Sequence, residues 1–352
     1  MTTRFNLLLL LGALLAVLAP YYWLLLDNQH TVLPAKPITI AQLRSLAAAI
    51  PGARPYPLAV ERSALRRVPG NLLVAGSEMK RKQVAFMAFR LPVQGGRAVM
   101  IESGIDRAGA ATMNTEGFDA EAQARVEAAL DQAGMILVTH EHLDHLGALV
   151  SHGGTALAQA AWLNPAQLPP SPEVAKLAWP KASLPQPRIT GTAPRAIAPG
   201  IVVIPAPGSH TPGSQMVFVQ LADGRELLFT GDIASFSQNW QEQRGRSRLI
   251  ETWFAPENRA EVFAWLQTIQ SWHRQAPGLL IVPGHDYESL ENPDNHFDAK
   301  FGFSPVVAAP VPTRIGAGIN PQSVIRRGAE RSGPIHATDG PAGRHGKAAL
   351  DT

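Results

Sequence analysis

The chain has no cysteine. That excludes disulfides, thiolate metal ligands and thiol nucleophiles, so any metal must be held by imidazole and carboxylate. Charge is also scarce: 17% of the 352 residues are Asp, Glu, Lys or Arg, and the formal net charge is only +3. No concentrated basic stripe of the kind a nucleic-acid binder needs is evident, and no nucleic-acid partner is expected. Hydrophobic residues make up 45% of the chain, enough for a substantial core. No internal repeat is evident.

One long apolar run stands out. Residues 7–26 carry no charge and match the length of a helix crossing a bilayer. Pro20 is tolerable in such a helix, and Tyr21, Tyr22 and Trp23 resemble an aromatic belt at the lipid–water boundary. Arg4 precedes the run and Asp27 follows it. The positive-inside bias then places the N-terminus in the cytoplasm. The expected location is the inner or plasma membrane, single-pass, with the main domain outside. The alternative is a cleaved signal segment and a secreted or periplasmic protein. Val17 and Ala19 fit the cleavage positions, but Pro20 would follow the cut and the apolar run continues past it.

The expected organisation is a membrane segment over 1–26, a proline-punctuated linker over 27–66 with a short helix around 41–49, and a folded domain over 67–300. A Gly/Pro/Arg-rich flexible tail follows over 301–352. Strands are expected at 71–75, 84–91 and 97–102, with a hairpin turn at Gln94-Gly95-Gly96. Residues 118–133 carry helical periodicity, with Gly134 as the stop. Short apolar strands follow at 135–139 and 201–204, then a hairpin of 215–221 and 226–230 around Asp223-Gly224. A helix over 260–272 and a strand over 279–282 complete the pattern. Strands leading repeatedly into helices predict an α/β domain.

The chemistry concentrates after these strands. Thr139-His140-Glu141-His142-Leu143-Asp144-His145 offers four donors in one short loop. His140 and His142 alternate and can grip one cation, and Asp144 and His145 can grip another. Three further glycine-containing loops each add one donor: His210, Asp232 and His285. The remaining histidines, His30, His152, His273, His296, His336 and His345, read as solvated side chains.

This pattern resembles the metallo-β-lactamase fold superfamily: HxHxDH at His140, His142, Asp144 and His145, then His210, Asp232 and His285 in the family's order. The resemblance covers roughly residues 71–290. It implies a four-layer αββα sandwich of two mixed β-sheets flanked by helices. It also implies two divalent cations, zinc first, with iron or manganese as alternatives. His140, His142 and His210 would hold one; Asp144, His145 and His285 the other; Asp232 would bridge them. The implied activity is hydrolysis of a small-molecule substrate by a metal-bridging hydroxide, with Asp144 and Asp232 in catalytic roles.

One support position departs from the family pattern. An aspartate is common where this chain reads Ile101-Glu102-Ser103-Gly104-Ile105-Asp106, so Glu102 or Asp106 must take its part. Asp232 as bridging ligand argues against the antibiotic-hydrolysing branch. The short interval from His210 to Asp232 resembles acyl-homoserine lactonases, although their tyrosine three residues after the bridging aspartate is Ser235 here. Ester or lactone hydrolysis is therefore expected, with a phosphodiesterase or thioesterase as the alternative. A non-catalytic, membrane-tethered metal-binding module is the reading from another class. Residues 236–254, with Trp240, Trp253, Phe254, Arg244, Arg246 and Arg248, read as an exposed basic loop with core aromatics, or else as the substrate wall. Tyr287, beside His285, is a candidate donor to a substrate oxygen.

Overall fold

The structure, a computed structural model, describes residues 3–180 and 184–304. Strands run in chain order β1 (Ala59–Pro69), β2 (Arg81–Leu91), β3 (Val99–Ile101), β4 (Gly117–Phe118), β5 (Met135–Leu137), β6 (Arg195–Ala198), β7 (Ile201–Pro205), β8 (Gln215–Gln220), β9 (Glu226–Gly231), β10 (Leu279–Pro283) and β11 (Lys300–Phe301). Helices are α1 (Thr3–Tyr21), α2 (Ile40–Ala47), α3 (Gly70–Leu73), α4 (Arg107–Thr112), α5 (Ala120–Asp131), α6 (Leu143–His152), α7 (Thr155–Ala160), α8 (Ser237–Gln241), α9 (Arg259–Gln275) and α10 (Tyr287–Glu291).

Two mixed sheets form. The first has order β11-β1-β2-β3-β5, with β4 paired to β1; the second has order β10-β9-β8-β7-β6. Alternation along the strands shows why they stack. In β8, Val217 and Val219 face the first sheet, whereas Met216 and Phe218 face away, under α2 and α9. In β9, Leu227 and Phe229 point inward and Leu228 outward. Both faces are apolar because both are covered. The outer face of the first sheet, with Met100 and Ile136, packs on Val126 and Leu130 of α5 and Leu146 and Leu149 of α6. Helices, sheet, sheet and helices give the expected αββα layers.

Strand direction places the site. β7 and β9 both run antiparallel to β8, and β10 is parallel to β9. The C-terminal ends of β7, β9 and β10 therefore share one edge. The loop after β5 meets them there through Gln215 N–H to Thr139 O, 2.8 Å.

Three expectations change. The short helix expected around 41–49 forms as α2, but the stretch read as linker over 27–66 is packed: Ile40, Leu43 and Ala47 are buried, and it holds the first part of β1. A start at residue 67 for the folded domain cuts through that strand. Charge hides β1 from a hydropathy reading: buried Glu61 pairs with Arg125 at 2.9 Å, and Arg62 lies over the Tyr287 ring. The strand expected at 71–75 is instead the helical turn α3, because a short apolar run carries no period of its own. The tail begins later than residue 301: β11 pairs with β1, and Phe303 is buried with its N–H on Glu61 Oε2. The rest of that expected tail, 305–352, lies outside the described residues.

α1 continues as a π-helical turn, Tyr22–Leu26, giving a 24-residue helix long and apolar enough to cross a membrane. Phe218 is fully buried between the second sheet and its helices. Replacing it, Phe218→Ala, is predicted to cost about 3–5 kcal/mol, read as a lower denaturant midpoint for the detergent-solubilised full chain.

Candidate metal centre

All seven donors converge. One atom from each of His140, His142, His210 and Asp232 lies within 4.8 Å of the others, and the same holds for Asp144, His145 and His285. His140 and His142 follow β5, His142 in extended backbone, and α6 begins at Leu143, which turns Asp144 and His145 toward the second group. Asp232 follows Gly231, whose φ is +52°. A Cβ on Gly231 would strike the Thr139 side chain, and one on Gly284 would strike Asp232 Oδ1. Those two glycines let the loops close on each other.

Asp232 faces both groups. Its Oδ2 lies 3.8 Å from His140 Nε2 and 3.6 Å from His210 Nε2. Its Oδ1 lies 3.0 Å from His285 Nε2 and 3.8 Å from His145 Nε2. Asp144 Oδ2 stands 3.5 Å from His285 Nε2 and 3.7 Å from His145 Nε2.

Partners behind the rings set the tautomers. His210 Nδ1 lies 2.7 Å from Glu257 Oε2, and His285 Nδ1 lies 2.8 Å from the Ala85 carbonyl. Thr139 Oγ1 donates to Glu102 Oε1 at 2.5 Å and sits 3.1 Å from His140 Nδ1. In His140, His210 and His285, Nδ1 thus faces these partners and Nε2 faces the cluster, whereas His142 turns its Nδ1 inward. Glu102 Oε2 is 3.2 Å from His145 Nδ1, an ion-pair distance without hydrogen-bond alignment. Glu102 holds a left-handed φ of 64°, an unfavourable conformation for glutamate, sustained by this double duty. Asp106 instead caps α4 through Gly109 N–H. The support position left open by the sequence is therefore Glu102. Glu141 joins the two histidine loops, accepting from Thr211 Oγ1 and Gly213 N–H.

The electrostatics split the rings. Burial, with help from neighbouring imidazoles, pushes His140 well below its ordinary value. Burial likewise lowers His142, and burial with Arg246 lowers His210. Burial opposes charge on His145 too, but Glu102 and Asp144 outweigh it and push it up to about 10. Burial is likewise outweighed at His285, where Asp232 raises the pKa. His145 Nε2 and Asp232 Oδ1 make no hydrogen bond, and His142 Nδ1 lies only 3.1 Å from His140 Nε2 and 3.2 Å from His210 Nε2. Imidazole nitrogens and carboxylate oxygens gathered this closely under burial form a donor set that fits divalent cations.

Two site residues escaped the sequence reading. Glu257, just before α9, carried no signal because its loop resembles any polar helix entry. Arg246 was read in an exposed basic loop or else in the substrate wall; it lines the cavity, but its burial, at 6% exposed, was not foreseen. Its Nη2 donates to Asp232 Oδ2 at 2.6 Å and to Ser235 Oγ at 2.8 Å. A carboxylate oxygen has a second lone pair, so this contact leaves Oδ2 able to ligate. In the same loop Trp240 is buried, but Trp253 and Phe254 are exposed, against the expectation of core aromatics. Tyr287 packs on Arg62 and Phe301 and does not line the cavity. His30, His152, His273 and His296 stay outside the cluster; His336 and His345 lie outside the described residues.

Above the donors lies a cavity of about 680 Å³. His142, Asp144, Asp232, Arg246 and His285 form its polar floor, and Leu72, Val84, Phe86, Met113, Leu249 and Ile250 its apolar wall.

No protein-family model matches the chain, and no curated protein matches it. Solved structures do. A quorum-quenching N-acyl homoserine lactone lactonase superposes with a TM-score of 0.53 at 15% identity, over 68% of this chain and 95% of its own. An N-acyl homoserine lactone hydrolase, with N-hexanoyl-L-homoserine at its catalytic metal centre, gives 0.51 at 15%, over 68% and 96%. A B. thuringiensis protein with N-decanoyl-L-homoserine at its active site gives 0.51 at 16%, over 68% and 96%. This chain has the metallo-β-lactamase fold. At these identities the likeness is one of fold.

Removing Glu102 or Glu257 by alanine is predicted to weaken zinc binding about 10–100-fold, measured by competition with a chromophoric chelator. Asp106→Ala should leave zinc affinity unchanged and cost only about 1 kcal/mol as a lost helix cap. His145, pushed up to about 10 by Glu102 and Asp144, holds a proton at neutral pH that a cation must displace. Zinc uptake is therefore predicted to release protons at neutral pH, seen as a binding heat that varies with the buffer's ionisation enthalpy.

Proposed function

We propose that this chain is a dinuclear metal-dependent hydrolase, tethered by α1 with its catalytic domain outside the cytoplasm, that cleaves an ester or lactone bearing an acyl chain. The observation that carries the reading is Asp232, whose two oxygens face two separate donor groups at 3.0–3.8 Å. The donors are nitrogen and oxygen only, a set that suits zinc and also accepts iron or manganese.

When bound by the seven donors, divalent cations would supply Lewis acidity, lowering the pKa of a bound water and polarising a substrate carbonyl. The protein's own residues do the rest. Asp144, on the cavity floor, accepts the proton of the attacking water and returns it to the departing alkoxide oxygen. Arg246 pins Asp232 and keeps its two oxygens apart in direction. Val84, Phe86 and Met113 give an acyl chain a dry wall and exclude bulk water. Homoserine products at the active sites of the structural neighbours support the acyl reading. The chain lacks the lactonases' tyrosine, and Ser235, held by Arg246, stands there instead.

The test is a panel: a lactone, a thioester, a phosphodiester and a cephalosporin, with metal content measured on the same sample. Turnover of the lactone or an ester, with two metals per chain, is the expected result. Turnover of the phosphodiester alone overturns the substrate class. Asp144→Ala is predicted to lower kcat about 10²–10⁴-fold and to reduce metal content toward one per chain. Cellular function that survives this loss of turnover would favour the non-catalytic module.

A further inference from the structure

The foot of α1 sits on the two segments that wall the cavity. Gly76 N–H donates to Leu25 O at 3.0 Å, and Tyr21 Oη reaches Met79 Sδ at 3.5 Å. Trp23 meets Trp253 edge to face at 6.5 Å, and Arg248 lies over the Trp23 ring. Asp27 grips Arg248 at 2.6 Å, and its carbonyl accepts from Arg259 at 3.0 Å. Asn28 accepts from Gly245 N–H and donates to Gln243 O. These contacts fall on residues 75–79 and 243–259. Leu72 and Leu73, directly before the first segment, and Leu249, Ile250, Phe254 and Ala255, within the second, line the cavity.

The same rim exposes apolar side chains: Met79 at 61%, Trp253 at 56% and Phe254 at 73%. Lys80 and Arg81, both exposed, follow Met79, and one exposed acidic residue, Glu78, precedes it. An aromatic and apolar rim edged with cations, fastened to the aromatic end of a membrane-length helix, matches the chemistry of a bilayer surface.

We propose that the rim formed by Met79, Trp253 and Phe254 docks on the bilayer, so that the cavity opens into the lipid–water interface and takes amphiphilic acyl substrates from the membrane. This rests on the readings of α1 as an anchor and of the cavity as the substrate site. Fixing Trp23 at the interface fixes Trp253 at nearly the same depth, and Phe254 is its chain neighbour. The acyl chain then passes from lipid to the apolar wall without crossing water.

The absence of cysteine makes the test direct. Single cysteines, Phe254→Cys, Met79→Cys, Leu10→Cys and Asp223→Cys, are spin-labelled in the full chain. The protein is reconstituted in phosphatidylcholine–phosphatidylglycerol vesicles, and collision with oxygen and with a water-soluble nickel complex is measured. Leu10 reports the anchor. Asp223, in the β8–β9 turn at the opposite end of the sheet, reports water. The expected result is shielding from nickel with a gain in oxygen access at Phe254 and Met79, relative to Asp223. In the same vesicles, Trp253→Ala should raise KM for a lipid-dissolved dodecanoyl ester and leave KM for a water-soluble butanoyl ester unchanged. If Leu10 lies in lipid while Phe254 and Met79 match Asp223, the docked rim is overturned and the anchor stands. If Leu10 also lies in water, both fail. An unchanged KM for the dodecanoyl ester, with the rim labels in lipid, overturns delivery from the membrane.

Discussion

Five imidazoles and a set of carboxylates are packed together where water hardly reaches, and the rest of the molecule is arranged around that constraint. Uncompensated, such a cluster is expensive: ring nitrogens crowd to 3.1–3.2 Å of one another, and burial penalises each charged form. Its buried carboxylates, Glu102, Asp144, Asp232 and Glu257, outnumber its single guanidinium, Arg246. A centre of that composition is stabilised by added positive charge, which divalent cations would provide. Asp232 is the point where the two halves of the site become one.

The scaffold holds this cluster by fastening two sheets at one edge. His285 arrives from the second sheet, yet its ring is fixed by the Ala85 carbonyl of β2 in the first. Glu141 reaches across to Thr211 and Gly213, and Gln215 Nε2 donates to the Val138 carbonyl. Each donor loop is thereby tied to a strand or loop other than its own. Such bracing keeps a site built on loops in register to a fraction of an ångström.

The seven candidate donors were legible in the sequence because their spacing is dense and each group follows an apolar strand. The same reading located the helix now seen as α5, the β8–β9 hairpin, α9 and β10. It missed β1, where Glu61 and Arg62 interrupt the apolar pattern and find partners only in the fold. It also missed Glu257 and the burial of Arg246. Nothing in the order of residues tells a buried arginine from a solvated one when its partners, Asp232 and Ser235, come from a different loop. Which of Glu102 and Asp106 supports the histidines could be decided only by geometry, since both lie near the end of β3.

The central claim is that Asp232 lies between two cations. Crystals of the zinc-loaded protein, with anomalous differences collected at the zinc edge, address it most directly. Two anomalous peaks on either side of Asp232, about 3.5–4 Å apart, are predicted: one among His140, His142 and His210, the other among Asp144, His145 and His285. A single peak, or a site in which Asp232 contacts Arg246 alone and no metal, would contradict the account.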